Sequence, residues 1–318
     1  LLFYADDPAC TMPLSLQPAP YNESWKLKLI LANLDAALNK RGERIGSLLI
    51  VGGPEVVPFH NLPNPVEDAD TEVPSDNPYS TRDNNYFISD WPVGRVSGGS
   101  VADPANLLSV LKEITNRYDQ HARKPAWYLR LTQRIRELFK TGLSKKLSSF
   151  GYTAAVWRRA SLSVFRPIGN PGDLLISPPV HACEAEGSGL PGANLPANDV
   201  KNSTCLLMPD TQLAYFNLHG VPDSSEWYGQ CDPTQPQAGP EFPIAMRPQD
   251  IRNSGSAPRL VFTEACYGAN ILGKSIDEAI SLKFIASGTQ AVVGSTCISY
   301  GSLSTPLSSA DLLGQVFW

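Results

Sequence analysis

Apolar positions in residues 25–41, "WKLKLILANLDAALNKR", fall at Leu29, Leu31, Leu34, Ala37 and Leu38, close to the 3.6-residue period of a helix. Gly42 follows where a helix C-cap belongs. The next segment, "IGSLLIVGG" (45–53), is a continuous apolar run closed by two glycines, the pattern of a parallel strand buried on both faces. Residues 54–85 are rich in Pro, Asp and Asn and predict a long loop. "NYFISDWPVGRVSG" (85–98) predicts one or two short strands around a turn. Asp103-Pro104 then opens an amphipathic helix over 103–120 as an N-cap followed by an N1 proline.

Beyond this helix, "AWYLRL" (126–131) predicts a strand and 132–150 a basic helix ending near Gly151. Residues 160–210 are rich in Pro and Gly and carry no clear period, a connection longer than compact domains use. Order returns with a strand over 212–218, a loop over 221–241 and a short helix after "PEFPIAMRPQDIRN". A strand over 259–263, a helix over 274–286, a strand over 289–295, a loop over 296–308 and a helix over 309–318 complete the chain. Strand alternating with helix predicts a parallel sheet covered on both faces. The expected fold is α/β: a three-layer α/β/α sandwich with a mainly parallel sheet over 121–318, and a smaller α/β unit over 1–120.

Composition narrows the function classes. A hydrophobic content of 42% with 18% charged residues supports a substantial core. The net charge of −5 argues against nucleic acid as a partner, and the basic residues of 123–159 read as a solvated helix face. No apolar run approaches the ~18 residues of a membrane-spanning helix. "LLFYADDPAC" has an acidic pair where a signal peptide carries its apolar core. The six cysteines form no CxxC pair and no zinc spacing, so no metal is expected, and a reducing, cytoplasmic compartment fits them best. The start at Leu1 and the uncapped end "SADLLGQVFW" lead to the expectation of a fragment or a processed chain.

Two segments carry candidate chemistry. "LAYFNLHG" and "RLVFTEACYG" each run from an apolar strand into a reactive residue, His219 and Cys266, and then to glycine. In open parallel sheets, reactive groups collect beyond the carboxyl ends of strands. On neighbouring strands an imidazole and a thiol would share a substrate carbonyl, with histidine favouring thiolate and supplying the leaving group's proton. Gly220 would let the backbone approach substrate, and the N–H groups of Gly220 and Cys266 would form an oxyanion hole. His181 with Cys183 is a weaker pair with no strand to position it. His60 and His121 read as surface residues and Cys297 as strand-end packing. Asp68, Asp70, Asp76, Asp83 and Asp90 read as a solvated acidic loop, with a structural calcium site as the competing reading. Glu264, from its charge alone, would face substrate and favour a basic P1 residue.

His-Gly after one strand and Ala-Cys-x-Gly after the next resembles the caspase-fold cysteine peptidases. "EACYG" departs from the caspase signature at Glu264 and Tyr267. "LLIVGGPEVVPF", "SDNPYSTRDNNYFISDWPVGRVSG", "HGVPDSSEWYG" and "GTQAVVGSTCISYGS", in this order, are similar to blocks of the gingipain family, with CHAT-domain proteases a second resemblance. The resemblance implies a thiol protease, a hydrolase with a Cys266/His219 catalytic dyad and no cofactor. It implies that Thr296, Ser299 and Tyr300 line the S1 region and that Trp227 walls the cleft. By analogy with CHAT proteases it implies activation by a protein partner or a larger assembly. The family's acid behind the histidine has no match after "AWYLRL", so that acid and the P1 preference stay unassigned. A catalytically inactive caspase-fold scaffold that binds proteins is the non-enzyme alternative.

Overall fold

A computed structural model of the chain describes residues 1–99, 104–122, 147–177, 211–234, 239–251 and 257–318. The strand expected over 126–131 and the His181/Cys183 pair lie outside them. The chain divides into two compact units, residues 1–108 with 270–275, and residues 109–269 with 276–318.

In the first unit a short helix α1 (Pro8–Thr11) precedes α2 (Ser24–Asn39), and strands β1 (Leu48–Val51) and β4 (Val93–Val96) pair in parallel. The buried face of α2 is Leu27, Ile30 and Leu34, packed with Ile50 and Tyr79, while Leu29 points outward. The helical period was legible: Leu34 is buried and Leu31 and Leu38 pack on the same cluster, while Leu27 and Ile30 take the place expected of Leu29. Only one face of β1 is covered, since Leu49 and Val51 are exposed. The expected loop over 54–85 contains an antiparallel pair, β2 (His60–Pro63) and β3 (Glu72–Ser75). Prolines at 63 and 74 hid it, and they are tolerated because the two-stranded ribbon has only edges. Asp76 holds Arg95 through two contacts of 2.6 and 2.9 Å, and Asp90 pairs with Arg82 at 2.7 Å. Two of the five loop acids are thus occupied by arginines.

His60 is not a surface residue. It is fully buried between the rings of Trp25 and Tyr79, each centred 4.5 Å away, and neither ring nitrogen has a hydrogen-bond partner. Burial, helped by the Lys28 ammonium, pushes its pKa down to about 4. A histidine held neutral in the fold but protonated in the unfolded chain stabilises the fold above its ordinary pKa of 6.5, and that stability is lost as pH falls through about 4. His60→Phe keeps the ring packing without an orphaned N–H. Thermal melts across this pH range are expected to show a higher midpoint and a flatter acid side for the variant. Parallel curves would refute the assignment.

Helix α3 (Pro104–Ala122) follows where the Asp-Pro start predicted it. The second unit is built on five parallel strands: β5 (Ser149–Ala154), β6 (Leu174–Ser177), β7 (Leu213–Asn217), β11 (Leu260–Thr263) and β12 (Ala291–Val293). They lie in the spatial order β12-β11-β7-β5-β6, with every neighbouring pair parallel. Residues alternate between two buried faces. Ala214, Phe216 and Val261 pack with Ile280 and Phe284 of helix α5 (Ile280–Ala286). Tyr215 and Phe262 pack on the other face with Val164 and Phe165 of helix α4 (Arg158–Phe165), and the last helix, α6 (Ser309–Phe317), covers the same face through Phe317 beside Phe262. This is the expected three-layer α/β/α sandwich with a mainly parallel sheet.

Two elements correct the reading of the middle of the chain. Residues 149–154 are strand β5 and not the end of a basic helix. Gly151 is a close-packing position there: a Cβ would lie 2.6 Å from Leu174 and 3.0 Å from Phe165. The segment 160–210, which shows no clear period in the sequence, contains most of α4 and all of β6 (Leu174–Ser177).

Candidate active site

Strands β7 and β11 are neighbours in register, Leu213 opposite Leu260 through Phe216 opposite Thr263. Each pair is 47 residues apart, and so are His219 and Cys266, three residues past the last pair on each strand. Equal steps along neighbouring parallel strands bring both to one level at the carboxyl edge of the sheet, with strands ~4.8 Å apart. After β7 the chain makes β8 (His219–Gly220), which pairs antiparallel with β9 (Trp227–Tyr228), and β9 pairs with β10 (Ile244–Met246). Gly220 lies against the turn that carries the thiol, and a Cβ there would stand 2.0 Å from the Cys266 carbonyl oxygen.

That turn is tight. Tyr267 has φ 55°, a left-handed conformation that a bulky residue adopts at a cost of about 1–3 kcal/mol. Hydrogen bonds hold it there: Tyr267 N–H to Cys297 O at 2.9 Å, Gly268 N–H to Ala265 O at 3.0 Å, and Ala269 N–H to Ser295 O at 2.8 Å. The Cys266 Sγ receives the Ser299 N–H at 3.3 Å and lies 3.4 Å from the Ser299 carbonyl oxygen. The thiol donates to that carbonyl oxygen, so the N–H and C=O of one residue, Ser299, both hold the sulfur. Ser299 is thus brought to the thiol, and Thr296 and exposed Tyr300 share its loop. Cys297 serves as a staple through its carbonyl.

The imidazole of His219 is half-buried between Trp157, with ring centres 4.3 Å apart, and Phe242, at 5.2 Å edge-on. Its Nε2 lies 2.9 Å from Oε1 of Gln230. Burial pushes its pKa down, and the Gln230 contact opposes that shift. Strand β5 neighbours β7, and the residue just past its end that meets the imidazole is Trp157, not an acid. Gln230 went unnoticed in the sequence because a charge was sought, and because β5 itself was hidden.

Two expected cleft residues point inward. Trp227 is buried beneath Phe216, ring centres 5.4 Å apart, so it supports the end of the sheet. Glu264 is 6% exposed and accepts a 2.8 Å bond from the Tyr215 hydroxyl on the face covered by α4 and α6. Strand alternation continues past Thr263 and puts Glu264 on the side of Phe262. The described residues contain no cluster of three or more metal-binding side chains and no helix long and apolar enough to cross a membrane.

The fold and this edge define an α/β protein with a histidine and a cysteine at the carboxyl ends of adjacent central strands. No protein-family model and no curated protein matches the chain. Two solved structures are similar to it. One, described as the structure of a protease, aligns with TM-score 0.49 and 12% identity over 88% of this chain and 51% of its own. The other, the Arg-specific cysteine proteinase gingipain R, aligns with TM-score 0.47 and 14% identity over 87% of this chain and 54% of its own. The chain spans about half the length of the structures it matches.

Proposed function

We propose that the chain is the catalytic part of a cysteine endopeptidase working through Cys266 and His219. The observation that carries this reading is the in-register exit of the two residues from neighbouring parallel strands, with Gly220 seated on the Cys266 carbonyl. Cys266 Sγ attacks the scissile carbonyl carbon as its proton passes to His219. The C=O pair moves to oxygen, where the N–H groups of Gly220 and Cys266 receive it. When the tetrahedral intermediate collapses, His219 gives the proton to the departing amine and an acyl-enzyme remains. Water, deprotonated by His219, releases the acid. Thr296, Ser299 and Tyr300 border the P1 side chain. No cofactor takes part in these steps, and activation by a protein partner or a larger assembly belongs to the same proposal.

A second reading, an inactive protein-binding scaffold, draws on the absence of a carboxylate bonded to His219 among the described residues. One experiment separates the two. Wild type and Cys266→Ala are exposed to a peptide library and to a thiol-reactive active-site probe, with candidate activators present. Cleavage and labelling in wild type alone are expected. Labelling that persists in Cys266→Ala, or a wild type that cleaves nothing, overturns the peptidase reading in favour of the scaffold.

A further inference from the structure

The group behind an imidazole decides which ring nitrogen carries the proton at rest and how readily the ring accepts a second one. Among the described residues the His219 ring bonds one side chain, that of Gln230, Nε2 to Oε1 at 2.9 Å. The amide is delivered by backbone and not by a loose side chain. The Gln230 N–H donates to Ser177 O at the end of β6 (3.2 Å), and its carbonyl accepts from Ala155 N–H just past β5 (3.0 Å). Gly229 before it is pressed onto the same strand end, where a Cβ would lie 2.2 Å from Ser177 Oγ. The segment is threaded across the ends of two strands, and Trp157 and Phe242 fix the ring from its sides.

We propose that Gln230 is the positioning residue of His219: its amide oxygen accepts the Nε2 proton, leaves Nδ1 as the lone pair that takes the Cys266 proton, and by its neutrality keeps imidazole and thiol uncharged until substrate arrives. This rests on the peptidase reading above. The charged and titratable groups on the elements around the ring are Arg158 and Arg159 after Trp157, Asp223 in the loop after Gly220, Cys231 and Asp232 after Gln230, and Glu241 beside Phe242. Tyr228 lies opposite His219, Glu226 is ion-paired with Arg247, and Cys266 stands on the neighbouring turn. No carboxylate among them bonds the imidazole. With aromatic walls and no counter-charge, the neutral ring is the favoured form. In the reaction the thiol proton moves to Nδ1 as the S–C bond forms, and the same proton leaves Nδ1 for the amine nitrogen as the C–N bond breaks. The Nε2–H bond to Gln230 persists throughout and becomes charge-assisted while the ring is protonated.

The test is run on the whole chain and needs no substrate. Nitrogen-15 NMR of histidine-labelled protein gives the tautomer and titration of His219, assigned by a His219→Asn control. Mass spectrometry follows the pH dependence of Cys266 alkylation by iodoacetamide. Wild type is expected to hold the Nε2–H tautomer at neutral pH. Gln230→Glu is expected to move the His219 titration upward by about one pH unit and to speed Cys266 alkylation near neutral pH by about tenfold. Gln230→Met, similar in length but without the acceptor, is expected to give a mixture of tautomers. An Nδ1–H tautomer in wild type, or a titration unmoved by Gln230→Glu, overturns the proposal, and wild type reports even where a variant fails to fold. Because none of these readings involves cleavage, failure of the peptidase assay would be seen separately.

Discussion

Gly220→Ala is expected to lower peptide cleavage by about a hundredfold or more while leaving a folded protein. The added Cβ would stand 2.0 Å from the Cys266 carbonyl oxygen and 3.1 Å from its carbon. These are backbone atoms, which cannot swing aside as the end of a long side chain can. Gly220 is also held from behind, because it pairs with Trp227, which is buried in the core. Relief therefore requires β8 to withdraw, taking His219 with it, or the Cys266 peptide to turn, taking the thiol. Either movement approaches 1 Å, and a displacement of that size in a reacting pair costs about 10²-fold in rate. The accompanying loss of stability, that of an overpacked site, is about 1–3 kcal/mol. Gly172→Ala is the control, because a Cβ there meets nothing within 4 Å. Cleavage rates and denaturant midpoints of the three proteins check the expectation. A Gly220→Ala protein with the rate of wild type would mean that the Gly220–Cys266 contact has no bearing on catalysis.

The parts of this site that were legible in the sequence are those written in long apolar runs. β7 and β11 are continuous, end abruptly and are followed by His-Gly and Cys-Tyr-Gly, which marks His219 and Cys266 as a candidate pair in the sequence itself. The parts that were hidden share a different physics. β5 is six residues long and follows a basic stretch whose periodicity runs into it, so Gly151 read as a helix end when it is a close contact between strand and helix. α4 spans only eight residues and buries Ala160 and Ser161 beside Val164 and Phe165, too small and polar a stripe to stand out. Without β5 the residues past its end could not be placed near His219. Gln230 carries no charge to mark it as the partner of an imidazole. Glu264 shows the opposite error: its charge suggested a substrate contact, whereas the alternation of β11 had already assigned it to the interior.

Glu264 carries the other large expectation. Its Oε1 receives the Tyr215 hydroxyl, and Asp311 on α6 receives the Ser302 N–H. The remaining oxygens, Glu264 Oε2 and Asp311 Oδ1, are buried without a hydrogen-bond partner, and the two carboxyl groups are electrostatic neighbours. Two neighbouring buried carboxyl groups resist being ionised together, so the pair holds a proton. Burial first, and the neighbouring Asp311 charge second, hold the Glu264 pKa well above its ordinary 4.5, and burial raises that of Asp311. A carboxyl whose folded-state pKa is raised stabilises the fold most below its unfolded value, and the contribution is lost as pH rises through the folded one. Glu264→Gln supplies a permanent N–H donor to Asp311 and keeps an acceptor for Tyr215. Its stability is expected to match wild type in acid and to exceed it increasingly above pH 4.5, by about 1.4 kcal/mol per pH unit until the folded-state pKa is reached. Glu264→Ala leaves the Tyr215 hydroxyl without its carboxyl acceptor in a fully buried site and is expected to lose about 1–3 kcal/mol. Urea unfolding of the three proteins across a pH series measures both effects. Wild-type and Gln curves that stay parallel from acid to neutral pH would show that the Glu264 and Asp311 pair holds no proton in the fold.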